Sequence, residues 1–197
     1  MSVRTAAEGT TIWDHVVALA GGVGGAKLAE GLQQLLGARL TVVGNVADDE
    51  EFWGLHVSPD LDTVMYWLAG VNDEERGWGV VEESWHCFET LERIGGEPWF
   101  RLGDRDLATH LMRTQMLREG QTLTEATARL ARGWGMPAHL LPVTDDRLRT
   151  VLETEIGRLS FQEYFVKHRW QPAIRAIHFE GATTVRATEE VLEALAA

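Results

Sequence analysis

Apolar and polar positions along this chain switch between a helical and an extended period, and the switches lay out an α/β order. The apolar run Val16-Val17-Ala18 reads as a strand that enters the turn Leu19-Ala20-Gly21-Gly22-Val23-Gly24-Gly25-Ala26-Lys27. Leu28, Leu32, Leu35 and Leu36 then recur at helical spacing until Gly37, and Leu40-Thr-Val-Val-Gly44 supplies a second, β-branched strand. Strand, helix and strand in that order imply a crossover between parallel strands, whose carboxyl ends form the crevice where open α/β sheets hold ligands. Ser58-Pro59-Asp60 reads as a helix start, with Ser58 as N-cap, Pro59 at the first position and Asp60 matching the helix dipole. Leu61, Val64, Met65 and Leu68 form its buried stripe, and Asp62 stands one step off it.

The later pattern repeats these signals. Trp85, Phe88, Leu91 and Ile94 predict a helix closed by Gly95-Gly96, and Trp99-Phe-Arg-Leu102 predicts a strand leading to a helix through Leu107, Leu111 and Met112. Thr122-Leu-Thr-Glu125 is a capping box for a helix with Ala126, Leu130 and Trp134 inside. Ala138-His-Leu-Leu141 predicts another strand, and residues 151–155 and 158–161 a hairpin about Gly157, followed by a short aromatic helix from Phe161 to Val166. An outer strand at 174–179 and a Thr188-capped helix on Val191, Leu192 and Leu195 complete the order. The expected fold is Rossmann-like: a mainly parallel sheet with helices on both faces and a small hairpin/helical insertion covering the site. Residues 14–197 form one domain, preceded by a mobile leader at 1–13.

Composition narrows the function. With 45% hydrophobic and 24% charged residues in 197, the chain suits a globular domain. A formal charge of −12, with lysine at Lys27 and Lys167 alone, argues against nucleic-acid partners. The single cysteine, Cys87, excludes an internal disulfide and is expected to be a small buried residue in a reducing compartment. No apolar run approaches the roughly twenty residues that span a bilayer. The protein is expected in the cytoplasm, away from membranes.

Three stretches carry candidate chemistry. The glycine turn, with Gly22, Val23, Gly24, Gly25 and Lys27, offers helix-opening amides to a phosphate, yet it matches neither Walker A nor a full G-x-G-x-x-G. Asn45-Val-Ala-Asp48-Asp49-Glu50-Glu51 follows the second strand into the same crevice. A divalent cation would reconcile its carboxylates with a phosphate, making Asp48 and Asp49 the expected magnesium ligands, with Glu50 and Glu51 facing water. In Gly103-Asp104-Arg105-Asp106, Asp104 reads as a cap and Asp106 as a partner for His110. Arg105 is left for a bidentate phosphate or carboxylate contact or an ion pair within the loop. Thr144 and Asp145, past the 138–141 strand, are expected in the same crevice.

Ala20-Gly-Gly-Val-Gly-Gly-Ala-Lys27, Asn45-Val-Ala-Asp-Asp49, Ser58-Pro-Asp-Leu-Asp-Thr-Val-Met-Tyr66, Gly103-Asp-Arg-Asp-Leu-Ala-Thr-His110, Leu141-Pro-Val-Thr-Asp-Asp146 and Phe161-Gln-Glu-Tyr-Phe165 together resemble the 2-phospho-L-lactate transferase family of coenzyme F420 biosynthesis. The resemblance runs from about His15 onward. It implies transfer of a phospho-linked three-carbon acid, lactyl or enolpyruvyl, from a guanosine diphospho donor to the ribityl hydroxyl of the deazaflavin FO, with magnesium and release of GMP. It also implies contact with FO through Asp62 and Arg105. The donor side is then expected from Gly22, Val23, Gly24, Gly25, Lys27 and Asn45, with Asp104 and Thr144 completing the substrate contacts. Asp62 would position or deprotonate the hydroxyl, or serve instead as a magnesium ligand, while Arg105 steadies charge. The expected partners are small molecules, with a homodimer open as the assembly. The family pattern extends for roughly another third past Ala197, which puts the donor half of the site in question. The rival from another class is a non-catalytic nucleotide-sugar-binding regulator of a related glycine-turn family.

Overall fold

The computed structural model describes residues 14–96 and 98–197; the expected leader at 1–13 lies outside them. Parallel strands β1 (Val16–Ala20), β2 (Leu40–Gly44) and β5 (His139–Pro142) form a sheet in the order β1-β2-β5, with Val16 opposite Leu40 and Thr41 opposite His139. The crossover between β1 and β2 is α1 (Gly22–Leu36). Ala26 and Ala29 let α1 approach the sheet, and α1 packs on α2 (Pro59–Ala69). Leu61, Val64, Met65 and Leu68 are buried as the spacing predicts. Asp62, Tyr66 and Trp67 are buried too, so α2 is enclosed on nearly every side.

A two-stranded hairpin, β3 (Glu50–Phe52) and β4 (Leu55–Val57), occupies the stretch expected to be an acidic loop. Trp53 and Gly54 both take positive φ at its turn, the condition for a two-residue turn that matches strand twist. Two helices follow α2, namely α3 (His86–Arg93) and α4 (Asp104–Arg118). The helix α5 (Leu123–Gly133) opens with the expected capping box: Glu125 N–H bonds Thr122 Oγ1, and Thr122 N–H bonds the Glu125 carboxylate. Strands β6 (Arg149–Thr154), β7 (Gly157–Ser160) and β8 (Ile174–Glu180) form a separate antiparallel sheet in the order β7-β6-β8. Thr188 caps the last helix, α6 (Glu189–Ala196), as expected.

Several expectations are corrected. Residues 99–102 form no strand; Trp99 and Phe100 instead pack on Phe52, whose ring stacks on Phe100 at 4.2 Å, in a second core with Val57, Leu102 and Leu107. The 174–180 strand is an outer strand as expected, and its place is at the edge of the hairpin's sheet, antiparallel to β6. In α3 the buried residue is Phe88; Cys87, one position before it and about 100° around the helix, is exposed, as is Ile94 just past the helix end.

Candidate functional site

The site begins where β1 and β2 end. Gly22 opens α1 at φ +52°, and a Cβ on Gly25 would stand 2.8 Å from that of Ala20, so both glycines are required by backbone shape and close helix-to-strand contact. Asp60 reaches this turn from the start of α2. Its carboxylate accepts the Gly22 N–H and the Asn45 Nδ2–H at 2.9 Å. The same Asn45 amide donates to Asp48 Oδ2 at 3.1 Å, so two carboxylates converge on one side chain at the mouth of the glycine turn. Burial pushes both Asp48 and Asp60 above the ordinary carboxylate range, and at Asp48 the nearby Asp60 charge adds to it. Asp60, assigned from sequence to the helix dipole alone, is thus the site residue the sequence concealed; its position next to Pro59 at a helix start made capping a sufficient explanation.

Asp49 faces the other way. It is 7% exposed, and its Oδ2 accepts from Ser58 Oγ at 2.7 Å and His56 Nε2 at 2.9 Å. The hydroxyl expected to cap α2 is therefore spent on Asp49, and Ser58 makes no side-chain capping bond. Glu50, expected to face water, pairs with Arg149 at 2.7 Å; Glu51 is exposed. Lys27 lies over the Trp67 ring, 5.3 Å from its centre. Thr144 is buried in a turn, accepting the Asp146 N–H, and Asp145 is bound to the first turn of α5 through Thr124.

Beside the acid pair lies a cavity of about 450 Å³ walled by Trp78, Trp99, Phe100 and Phe165, with Asp62, Tyr66, Asp106 and His110 at its polar end. Those polar groups form one buried network. Arg113, 0% exposed, donates Nη1 to Asp62 Oδ2 at 3.0 Å and Nη2 to Asp62 Oδ1. Tyr66 donates to Asp106 Oδ1 at 2.7 Å, and His110 Nε2 stands 3.2 Å from the same oxygen, the i to i+4 pair the sequence predicts. Burial alone would push Asp106 up, but His110 and the two hydrogen bonds hold it below the ordinary carboxylate range. Burial also sends the Tyr66 phenol well above its usual value. Asp62 therefore faces the cavity as one half of a bidentate ion pair.

Arg105 is 49% exposed and lies outside the cavity lining, donating to the Val81 carbonyl at 2.9 Å, with Glu82 at 3.6 Å. The amides that open α4 are already filled: Glu83 accepts the N–H groups of Arg105 and Asp106 at 2.8 Å each. Asp104 caps not its own helix but α3, accepting the N–H groups of His86 and Cys87 at 3.0 Å, which together with Ser84 holds it below the ordinary range. The cations at the cavity wall are Arg101 and Arg169.

A parallel sheet crossed by α1, with a glycine turn and a convergent acid pair at the end of β1, defines a Rossmann-like α/β protein, and an aromatic-walled cavity opens beside α2. The chain belongs to the 2-phospho-L-lactate transferase CofD family, whose model matches residues 16–197. It is 45% identical over 92% of its length to a phosphoenolpyruvate transferase of Mycobacterium tuberculosis, and 43% identical over 92% to one of Mycobacterium avium. It spans 61% and 62% of those relatives, about three-fifths of their length. The crystal structure of a UPF0052 family protein from Bacillus halodurans shares the fold, with a TM-score of 0.56 at 17% identity, covering 94% of this chain and 56% of that one. Among the described residues no helix is long and apolar enough to cross a membrane.

Proposed function

We propose that this chain carries the active site of a transferase that moves a phosphoenolpyruvyl unit from a guanosine diphospho donor to the deazaflavin FO, releasing GMP. The observation that supports this reading is an aromatic-walled cavity with Asp62 and Asp106 in its lining, linked through Pro59 and Gln162 to the two carboxylates at the glycine turn. The enolpyruvyl rather than lactyl donor follows the names of the mycobacterial relatives. In this reading the aromatic walls grip the ring, and Asp62 and Asp106 accept hydrogen bonds from the acceptor's hydroxyl chain at the polar end. Alcohol attack on a diphosphate depends on such alignment and on neutralising charge at phosphorus. Arg113 holds the Asp62 carboxylate in place through two hydrogen bonds, and Arg101 and Arg169 supply positive charge at the wall, with Arg105 further out at the rim. The proposed setting is cytoplasmic.

Asp48 and Asp60 fit a magnesium ion better than Asp48 and Asp49. They converge on the Asn45 amide, burial raises both, the Asp60 charge raises Asp48 further, and a diphosphate at the same turn would meet both. Asp49 is raised by burial as well, but its Oδ2 is taken by Ser58 and His56 rather than by the Asn45 amide at the glycine turn. When bound, magnesium supplies positive charge to the donor diphosphate. A pH dependence follows. A carboxyl raised above its unfolded value stabilises the fold below that value and loses this as pH rises through its folded value, so the cation has most to offset at neutral pH. Magnesium at about one hundred times its Kd adds about 2.7 kcal/mol, raising the melting temperature by about 5–11 °C at pH 7. The gain shrinks as acid protonates both carboxyls, and thermal melts with and without magnesium across pH check it.

The function is tested by incubating the protein with FO, the enolpyruvyl and the lactyl donor, and magnesium, and weighing the product. A mass increase of one phosphoenolpyruvyl unit with GMP release is expected. Donor binding without any FO-dependent GMP release would instead favour the nucleotide-sugar-binding regulator.

A further inference from the structure

The acid loop and the roof of the aromatic cavity are one mechanical unit. Thr150 N–H donates to the Ala47 carbonyl at 2.7 Å and its hydroxyl bonds the Asp48 carboxylate. Glu50 is held by Arg149 and by the Ser160 hydroxyl. These bonds staple residues 47–50 to the β6–β7 hairpin. From the end of β7 the chain passes directly into a π-helical turn, Glu163–Lys167, whose Phe165 and Val166 line the cavity. Such turns are rare and concentrate at functional sites. Arg169 and Trp170, just past it, hold left-handed φ of 49° and 51°, a conformation that side chains rarely adopt and that the Tyr164 bonds to Trp170 enforce.

Gln162 sits at the junction. It is 6% exposed, it lines the cavity, and its Nε2–H donates to the Asp48 carbonyl at 3.3 Å. One side chain therefore touches both the loop that carries Asp48, one of the acid pair, and the space for the planar ring. We propose that Gln162 is a positioning residue that couples the two substrates: occupation of the Asp48–Asp60 end fixes the Asp48 carbonyl, and through Gln162 fixes the roof over the cavity, so that each ligand tightens the other. This rests on the reading that a diphosphate and a deazaflavin occupy these two subsites. Coupling of this kind is reciprocal, and is commonly about 5–150-fold in affinity. A residue that only satisfied the Asp48 carbonyl would alter stability but would not link two affinities.

The test is calorimetric titration of FO in the absence and presence of saturating magnesium and GDP, and the reverse titration of GDP with and without FO. In the wild-type chain the Kd for FO falls by about fivefold or more when magnesium and GDP are present, and the reverse titration gives the same factor. In Gln162→Met, which keeps the volume and loses the donor, the ratio of the FO Kd values without and with magnesium and GDP falls below about twofold, whatever the Kd for FO alone becomes. Gln162→Glu keeps the shape and likewise cannot donate to a carbonyl, so it gives the same loss if the methionine variant fails to fold. Wild-type binding of both ligands with no coupling, or full coupling retained in a Gln162 variant, overturns the inference and leaves the functional reading standing. Wild-type failure to bind either ligand overturns that reading, and the inference with it.

Discussion

Arg113→Met lowers the unfolding free energy by about 3–5 kcal/mol, because it strands the Asp62 carboxylate in a place from which water is excluded. Both Asp62 oxygens accept from the guanidinium, and both residues are almost fully buried. The cost is the desolvation of an unpaired charge rather than the worth of the pair itself. Asp62→Leu combined with Arg113→Met therefore recovers most of the loss, since an apolar replacement of a whole buried pair is commonly neutral or stabilising. Urea unfolding of the two singles and the double closes the cycle. In a chain of this size the single variant's melting temperature falls by about 6–20 °C. A double variant as unstable as the worse single would mean that the network with His110, Asp106 and Tyr66, not the pair, carries the stability.

Asp60→Ala reduces FO-dependent GMP release by about a hundredfold to a thousandfold, while leaving the fold intact. Its carboxylate is not half of an ion pair; it is hydrogen-bonded to Gly22 and Asn45 at a site raised by burial, so its removal strands no charge. The loss is expected because the acid pair would hold the cation that neutralises the donor, and one carboxylate of two cannot do so at the same concentration. Initial rates across a magnesium titration make the check. Turnover within about threefold of wild type at unchanged magnesium dependence would remove Asp60 from the mechanism.

What the sequence made legible was whatever is local. The β1–α1–β2 crossover, the α2 stripe and the α5 capping box depend on spacings of a few residues and appear where the pattern puts them. What it concealed depends on residues far apart. A helix N-terminus awaiting a ligand and one filled by the protein's own carboxylate have the same local sequence, and here both are filled: α1 by Asp60 and α4 by Glu83, 22 residues before Arg105. Asp62 stood out correctly as the acid that capping does not need, but its partner lies 51 residues on. Trp99 and Phe100 read as a strand because aromatic runs favour strands, yet their rings are taken by Phe52 in the second core.

Thr41 pairs with His139, about a hundred residues downstream, so α2 to α5 all lie within the loop that the parallel sheet must close. Closure over such a span is slow, since its entropy is lost before the distant contacts form. Asp62 and Arg113 lie 51 residues apart inside that loop, so bringing their helices together shortens the span that remains to be closed. The buried pair thereby ties a long insertion between two neighbouring strands into one packed body.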